Sequence, residues 1–286
     1  MNNNKQKEIK WLNARMNIVM TVIAIVILFP IALVVAASFR VQGHLYELNL
    51  IKFWTMDNYG ELLSKTHFLV WMKNTIFLCT ICSFIGLLAA ATAGYAFSRF
   101  RFAGKKIGLL TLILLQMFPA AMAMVAIFKL LLTLGNATGG LVGINSFAGL
   151  MLVYVGGSIP FNTWLIKSYL DSIPKELEES AYIDGCSPWR TFFTIIFPLL
   201  GPILIVVAIF NFITPYADFI FPSIVLMDES KYTLAVGMRA FILNNFSTNW
   251  SQFAAASVLG AIPIMILFFG LQKYLVEGLT KGAVKG

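Results

Sequence analysis

The sequence contains little charge for its length. Asp, Glu, Lys and Arg together make up 12% of its 286 residues, whereas soluble domains carry about 25%. Hydrophobic residues account for 59% of the chain, and they are gathered into runs of about 20 residues, the length at which a helix crosses a bilayer. This composition excludes a soluble globular protein. It predicts an all-α integral membrane protein, because lipid offers no hydrogen-bonding partner to an unpaired backbone group.

The residue types that carry catalysis are equally scarce. The chain has two histidines and three cysteines, and it lacks a phosphate-binding G-x-x-x-x-G-K-S/T loop, an H-E-x-x-H metal motif and a G-x-S-x-G motif. Cys79 and Cys82 form a C-x-x-C, but an apolar run neither exposes nor stabilises a thiolate. We therefore predict that the chain is not an enzyme and that it binds no cofactor and no metal itself.

Six apolar runs are long enough to cross a bilayer. They cover residues 17–39, 75–97, 107–127, 147–166, 199–221 and 253–271. The runs define a six-helix domain at 17–271, between a tail at 1–16 and a tail at 272–286. Polar residues within the runs are few: Gln116, Asn162, Asn211 and Asp218. Asp218 lies near the end of the fifth run, where we expect it to be hydrated at the membrane interface rather than buried as an ion relay.

Basic residues are distributed unevenly between the two sides that these spans define. The N-terminal tail, the loop 98–106, the stretch 167–198 and the C-terminal tail carry twice as many Lys and Arg residues as the loops on the opposite side. Since basic residues favour the cytoplasmic side, we predict a multi-pass protein of the cytoplasmic membrane with both termini cytoplasmic. The same bias accounts for the net charge of +8, so no nucleic-acid partner is predicted.

Proline and small residues interrupt the predicted spans. Prolines lie in or at the ends of five of the six spans: Pro30, Pro119, Pro160, Pro202, Pro215 and Pro263. Proline kinks a helix, and small side chains let membrane helices approach closely. A rigid, tightly packed bundle and a bundle that bends as a transporter does both fit this pattern, and the sequence leaves the choice open.

A polar stretch between the fourth and fifth spans predicts a hairpin of two short helices over 174–197. Pro174 suits a first helical turn, and acidic residues follow where the helix dipole favours them. Gly185 supplies a left-handed residue that ends a helix. Ser187 can cap a second helix with Pro188 at its first position. In that helix, residues at i, i+3, i+4 and i+7 predict one amphipathic stripe: Trp189, Phe192, Phe193 and Ile196.

Two interpretations of this hairpin are open from the residues alone. It can rest on the lipid headgroups, or it can dock a soluble partner. The cytoplasmic leaflet is negatively charged, which argues against placing an acidic helix on it. The second interpretation sets Glu178, Glu179 and Asp184 against basic residues of a partner.

The stretch resembles the EAA loop of binding-protein-dependent ABC importer permeases. That loop has the pattern E-A-A-x-x-D-G-A, then an aromatic and isoleucine stretch, then P-L-x-x-P. The residues at these positions here are Glu179, Ser180, Ala181, Asp184, Gly185, Phe192, Ile195, Pro198, Leu199 and Pro202. Ser180 and Cys186 stand where alanine is usual, and both are small. The segments 95–106, 116–120, 232–238 and 278–286 are similar to the MalG-type branch, the permeases of maltose and maltodextrin importers.

This resemblance implies a type I ABC importer (MetI-like) fold and a set of partners. The chain would form half of a translocation pathway with a paralogous permease in a heterodimer. Two separate ATPase subunits, which bind the ATP and Mg²⁺, would dock on a coupling loop at 171–202. An extracytoplasmic binding protein would deliver a maltose- or maltodextrin-type oligosaccharide. In this branch the sugar pocket belongs mainly to the partner permease, so the resemblance implies little sugar contact by this chain.

The resemblance also carries functional roles onto particular residues. The residues expected to couple to the ATPase are Glu178, Glu179, Ser180, Ala181, Asp184, Gly185, Trp189, Phe192 and Pro198. The C-terminal residues expected to contact the ATPase are Thr280, Lys281, Gly282, Val284 and Lys285. The loop residues expected to contact the binding protein are Asn244, Asn245, Phe246 and Trp250.

Two other classes of protein fit the sequence less well than an importer subunit. A stand-alone secondary carrier or channel would be expected to bury more ionisable residues than this sequence offers. A membrane enzyme would need a nucleophile and a base, and no such constellation is present. Tyr154, Phe161, Trp164 and Tyr216 are of the type that stacks on pyranose rings, but with 14% aromatic residues in the chain, membrane packing explains each of them.

Overall fold

The computed structural model describes residues 3–41, 54–243 and 249–283. These residues form helices joined by turns, which confirms the predicted all-α class. In chain order the helices are α1 (Asn3–Ser38), α2 (Asp57–Lys65), α3 (Phe68–Arg99), α4 (Lys105–Gln116), α5 (Ala120–Ala137), α6 (Phe147–Leu170), α7 (Glu176–Ile183), α8 (Pro188–Thr191), a π-helical segment (Phe192–Ile196), α9 (Phe197–Leu199), α10 (Gly201–Ala217), α11 (Ile220–Val225), a 3-10 turn (Glu229–Lys231), α12 (Leu234–Met238), α13 (Ala240–Leu243) and α14 (Trp250–Ala283).

The chain divides into two compact units, and the first contains residues 1–66 and 238–261. The apolar part of α1, Trp11–Ser38, has no buried residue along its most hydrophobic stretch, so its side chains are free to face lipid or another protein. The end of α1 is attached to α2, because Asn58 Nδ2 donates hydrogen bonds of 2.8 Å to the carbonyls of Ser38 and Arg40.

The second unit contains residues 67–237 and 262–286, and α3, α6 and α10 pack together in it. Glycine brings α3 close to α6, since a Cβ placed on Gly94 would come within 2.9 Å of Ile166 Cγ2. Small side chains permit such close approach between membrane helices. One buried core joins these helices to the segment 192–200: Ala90, Ala91, Tyr95, Ile166, Leu170, Phe192, Ile196, Leu200, Leu204 and Val207.

Four helices in the described part of the chain are long and apolar enough to cross a membrane. They are Trp11–Ser38, Phe68–Arg99, Phe147–Leu170 and Trp250–Tyr274, and they cover the first, second, fourth and sixth predicted spans. A bent pair, Pro188–Leu199 and Gly201–Ala217, meets at 81° and counts as a fifth only if both arms belong to one span. Its second arm, α10, covers most of the predicted fifth span.

The predicted third span, 107–127, is wrong as a single helix. α4 ends at Gln116, and α5 begins at Ala120 and runs to Ala137, well beyond the predicted end. Pro119 separates them in an extended conformation, with φ −62° and ψ 122°. Proline has no N–H to donate to a preceding turn and disfavours helix in the residue before it, so the break follows from the proline rather than from hydropathy.

The loop between α5 and α6 is held by Asn145. This residue has a left-handed backbone with φ 58°, which asparagine tolerates better than most residues. Its Oδ1 accepts hydrogen bonds from the N–H groups of Met227 (3.1 Å) and Asp228 (3.2 Å). Its Nδ2 donates to Asp228 Oδ2 at 2.6 Å. One side chain therefore connects two loops that are distant in sequence.

Candidate functional site

The predicted hairpin is present, and local sequence explains its turn. α7 begins at Glu176, with Glu176, Glu178 and Glu179 in its first turn. At its end Gly185 has φ +81°, the conformation that glycine adopts at no steric cost. The Gly185 N–H donates to the Tyr182 carbonyl at 3.0 Å, and the Cys186 N–H donates to the Ala181 carbonyl at 2.9 Å. These two bonds form a Schellman motif, which satisfies carbonyls at the helix end.

The second arm begins as the sequence predicts. Ser187 is the N-cap of α8, and its Oγ accepts from the Arg190 N–H at 3.4 Å, with Pro188 at the first helical position. Beyond Thr191 the arm becomes a π-helix over Phe192–Ile196. Such short π-helical segments are often found at functional sites.

The predicted single stripe in this arm is wrong. Phe192 and Ile196 are buried, whereas Trp189 is 67% exposed and Phe193 is half exposed. The exposed rings of Trp189 and Phe193 stack on each other, with centroids 6.0 Å apart. The π-helical segment departs from the spacing of 3.6 residues per turn that the prediction assumed. The arm therefore has a buried apolar face toward α3 and a separate exposed aromatic face.

A buried ion pair attaches the hairpin to α3. Arg99 Nε lies 2.5 Å from Glu178 Oε1, and the two side chains are only 6% and 5% exposed. Glu178 Oε2 accepts a hydrogen bond of 3.0 Å from the Tyr95 hydroxyl. Arg99 also donates from Nη2 to the Ile173 carbonyl at 2.9 Å. The pair is thus enclosed by further hydrogen bonds, which a buried charge requires.

A second, more exposed link lies beside the ion pair. Asp171 Oδ1 accepts a hydrogen bond of 2.6 Å from Ser98 Oγ, and its Oδ2 accepts one of 2.5 Å from Lys167 Nζ. Partial burial alone would raise the pKa of Asp171. Hydrogen bonds from Lys167 and Ser98, and the positive charges of Lys167 and Arg99, outweigh that effect and lower the pKa of the carboxyl.

The structure separates the predicted coupling residues into two groups. Three are buried against α3 and the core: Glu178, Ala181 and Phe192. The others are exposed or, like Gly185, form the turn: Glu179, Ser180, Asp184, Gly185, Trp189 and Pro198. Ile183, which the prediction omitted, is 87% exposed at the tip of α7. We call the exposed set, together with Ile183, the hairpin tip face. It combines two carboxylates with large apolar side chains.

The remaining predicted contact residues are described only in part. Trp250 is exposed at the first turn of α14, whereas Asn244, Asn245 and Phe246 lie outside the described residues. Thr280, Lys281 and Gly282 continue the backbone of α14, while Val284 and Lys285 also lie outside the described residues. Over 3–41, 54–243 and 249–283, no group of three or more His, Cys, Asp or Glu side chains is placed to hold a metal.

The second unit also contains a mainly apolar cavity of about 570 Å³ between α3, α4, α5, α6 and α10, with a few polar side chains in its wall. Asp218 lies in its wall. Asp218 Oδ2 accepts a hydrogen bond of 2.9 Å from the Tyr154 hydroxyl. Asp218 Oδ1 accepts from the N–H groups of Ile220 (2.9 Å) and Phe221 (3.4 Å). Asp218 therefore stands at the break between α10 and α11 and caps α11 through its side chain.

A buried amide pair forms another part of the cavity wall. Asn162 Nδ2 donates to Asn211 Oδ1 at 2.6 Å, and the two residues are 2% and 5% exposed. Asn211 Nδ2 has no hydrogen-bond partner among the described residues. It lies beside Gly86, where a Cβ would come within 2.8 Å of it. The sequence marked both asparagines and Asp218 as polar residues in spans, but their convergence on one cavity depends on how α6 and α10 pack.

Sequence comparison finds a consistent set of relatives. A family model described as "Binding-protein-dependent transport system inner membrane component" matches residues 82–281. The maltodextrin transport system permease protein MdxG of Bacillus subtilis is 36% identical, over 93% of this chain and 94% of its own length. The galactooligosaccharides transport system permease protein GanQ of the same organism is 40% identical, over 92% of each chain.

The comparison of structures indicates the same fold as the sequence relatives do. The structure resembles a chain from the crystal structure of a bacterial ABC transporter involved in the import of the acidic polysaccharide alginate. The TM-score is 0.78, with 20% sequence identity over 96% of this chain and 99% of that chain. At this level of identity the similarity shows the fold alone, and that fold is the importer permease fold that the sequence predicts.

Proposed function

The chain belongs to the family of inner membrane components of binding-protein-dependent transport systems, and from this premise we propose that it forms half of the translocation pathway of an ATP-driven oligosaccharide importer. Its family makes it a multi-pass protein of the cytoplasmic membrane and a permease subunit rather than an enzyme. The names of the maltodextrin permease MdxG and the galactooligosaccharides permease GanQ support an oligosaccharide as cargo, and MdxG supports the maltodextrin class.

The hairpin tip face is the observation that carries this proposal. It exposes the carboxylates of Glu179 and Asp184 and the ring of Trp189, which stacks on the exposed ring of Phe193. Protein interfaces are enriched in aromatic residues and carry a polar rim, so a surface that exposes both kinds of side chain fits a docking site. We infer that a separate ATPase subunit, which holds the ATP and Mg²⁺, docks on this face with basic residues opposite the two carboxylates.

The buried attachment gives the docked hairpin its mechanical role. Because Arg99 and Glu178 connect α7 to α3, and because Phe192 and Ile196 belong to the core of α3, α6 and α10, a displacement of the hairpin is transmitted to three helices together. ATP can drive that displacement only if it binds the closed ATPase pair better than the open pair. The bend of 81° before α10 lets the hairpin lie across the direction of α10, as a lever requires.

Further partners complete the proposed importer. The partners we propose are a paralogous permease, two ATPase subunits and an extracytoplasmic sugar-binding protein. The exposed apolar surface of α1 is available to lipid or to the second permease. We further propose that both termini are cytoplasmic, that the end of α14 and residues 284–285 contact the ATPase, and that the loop 244–250 contacts the binding protein.

The test uses the complete importer in proteoliposomes, with binding protein and maltotriose as the cargo probe. We expect Glu179→Ala and Gly185→Pro each to abolish uptake and sugar-stimulated ATP hydrolysis, while the permease is still inserted in the membrane. The matched control is Glu61→Ala, which removes an exposed carboxylate on α2 and is expected to transport normally. Normal uptake by both hairpin variants would refute the proposed docking of the ATPase on the hairpin. Uptake by this chain alone, driven by an ion gradient, would instead indicate a secondary carrier.

A further inference from the structure

A mainly apolar groove of about 260 Å³ lies where α3 meets the second arm of the hairpin. Tyr95 and Phe100 line one side of it, and Pro188, Trp189 and Phe192 line the other. The rings of Phe100 and Trp189 remain 45% and 67% exposed at its edge. An apolar cavity of roughly 150 Å³ can hold a benzene-sized ligand, so the groove has room for a short segment of an alkyl chain. It falls below the range of drug-sized ligands, roughly 300–1,000 Å³.

The groove lies at the boundary between the acyl chains and the lipid headgroups. The apolar run 75–97 has the length that fills the hydrocarbon core of a bilayer, and Tyr95 and Ala96, which line the groove, are among its last residues. Aromatic side chains with a partly polar setting are enriched at this depth. The exposed rings at the edge of the groove therefore suit contact with lipid.

A basic loop adjoins the groove. Residues 98–106 include four basic residues and no acidic one. Gly104 turns the chain with φ +84°, and Lys105 Nζ donates back to the carbonyls of Ser98 (3.3 Å) and Phe100 (3.1 Å). The Lys105 ammonium is thereby held next to a residue of the groove wall. Since an ammonium has three donors, one remains for a ligand.

The positive charge of this loop is not neutralised by the acids around it. Two carboxylates beside the loop already have basic partners: Glu178 with Arg99, and Asp171 with Lys167. Among the described residues no carboxylate lies within ion-pair distance of Arg101, Lys105 or Lys106. Arg101 and Lys106 are also exposed. The loop therefore presents three positive charges to an anion.

We propose that the groove and the basic loop together bind an anionic phospholipid of the cytoplasmic leaflet. One acyl chain lies in the groove between Phe100 and Trp189. The phosphate is held by Lys105 beside the groove and by the exposed side chains of Arg101 and Lys106. The cytoplasmic leaflet is negatively charged, so the charge of the loop complements it. Because the groove has one wall on α3 and one on the hairpin, a bound lipid joins the two elements. The inference depends on the proposed function only in placing the hairpin in the cytoplasm.

The first experiment compares two photoreactive lipids in nanodiscs that contain the complete importer. Phosphatidylglycerol and phosphatidylcholine with the same diazirine-bearing acyl chain are each added in trace amounts, and the labelled peptides are identified by mass spectrometry. A basic residue near an anionic surface contributes roughly a fivefold factor in binding. Phosphatidylglycerol is therefore expected to label 92–100 and 188–193 about fivefold or more above phosphatidylcholine.

Variants assign the headgroup to the loop and the acyl chain to the groove. Arg101→Gln and Lys106→Gln are each expected to lower labelling by phosphatidylglycerol about fivefold and to leave labelling by phosphatidylcholine unchanged. Ala96→Leu narrows the groove and is expected to lower labelling by both lipids. The control, Lys129→Gln, removes an exposed basic residue of α5 outside the groove and the loop and should change neither.

The second experiment identifies the occupant of the groove in membranes that contain the whole importer. A photoreactive phenylalanine analogue replaces Phe100, so that a ring still lines the groove, and it is activated by light. Capture of phospholipid is the expected result. Capture of an ATPase subunit alone would show that the groove belongs to the docking interface for that subunit, and it would refute the lipid site.

The outcomes separate this inference from the proposed function. Suppose that the wild-type importer takes up maltotriose, but that both lipids label 92–100 and 188–193 equally and Arg101→Gln and Lys106→Gln change nothing. The lipid site is then refuted and the importer stands. If the selective labelling is found but the wild-type complex imports no oligosaccharide, the lipid site stands and the proposed function is refuted.

Discussion

The ion pair between Arg99 and Glu178 should hold the hairpin to α3, and its removal gives a quantitative prediction. Both side chains are almost fully buried. Removing one partner leaves the other charge uncompensated, at a cost of about 3–5 kcal/mol, whereas replacing both partners with apolar residues of similar size is often neutral. We expect Arg99→Met and Glu178→Met each to weaken the attachment of the hairpin by roughly 3 kcal/mol or more, and the double variant to recover most of that loss.

Hydrogen exchange of the hairpin amides measures this attachment in the assembled importer. A loss of roughly 3 kcal/mol corresponds to a hundredfold or greater rise in the population of the detached hairpin. Amides in 176–196 of each single variant should therefore exchange faster by about that factor, and sugar-stimulated ATP hydrolysis should fall with it. The bond from Arg99 to the Ile173 carbonyl is lost in the double variant too, so its recovery should be incomplete.

The matched control for this cycle is the exposed pair of Lys65 and Glu61. Solvent screens such a pair, and Glu61→Met should leave hairpin exchange unchanged. Wild-type exchange in both single variants would show that the ion pair does not hold the hairpin. The same conclusion would follow if the effects of the single variants simply added in the double variant.

Two further predictions concern sites where the second unit tolerates no change. A Cβ on Gly237 would lie 2.1 Å from Cδ2 of the buried Trp71, so Gly237→Ala should destabilise the detergent-solubilised protein by about 1–3 kcal/mol or more. An added Cβ on Gly270 would meet none of the described residues beyond its own stretch of helix within 4 Å, so Gly270→Ala should leave the thermal denaturation unchanged. Equal denaturation of the two variants would contradict the packing. Asn145→Ala should lower the free energy of unfolding by about 1–3 kcal/mol. Alanine disfavours the left-handed backbone at this position, and it cannot make the side-chain hydrogen bonds to Asp228. Asn145→Gly should recover only the backbone part, and full recovery would show that the hydrogen bonds contribute nothing.

The local chemistry of the hairpin was predictable from the sequence. A glycine at a helix end and a serine followed by proline act through their own backbone and that of adjacent residues. Gly185 and Ser187 therefore stand where the sequence predicts them. Four of the six apolar runs form helices that are long and apolar enough to cross a membrane for a similar reason, since length and hydropathy are local properties of a segment.

Features that depend on distant residues were not predictable in this way. Arg99 counted only toward membrane orientation in the sequence, because nothing local indicates that Glu178 is its partner. The sequence predicts a kink at Pro119, but hydropathy does not distinguish one kinked helix from two separate helices. The π-helical segment after Thr191 changed which aromatic residues share a face, and its register follows from packing against α3.

Crosslinking from the hairpin tip face tests the central claim most directly. A photoreactive residue placed at Ser180 or Asp184, both exposed, can be activated in membranes that contain the whole importer, with position Asn136 as a control away from the hairpin. Capture of an ATPase subunit from Ser180 or Asp184, and not from Asn136, is the result that a docked hairpin predicts. Capture of lipid alone from both hairpin positions would contradict it.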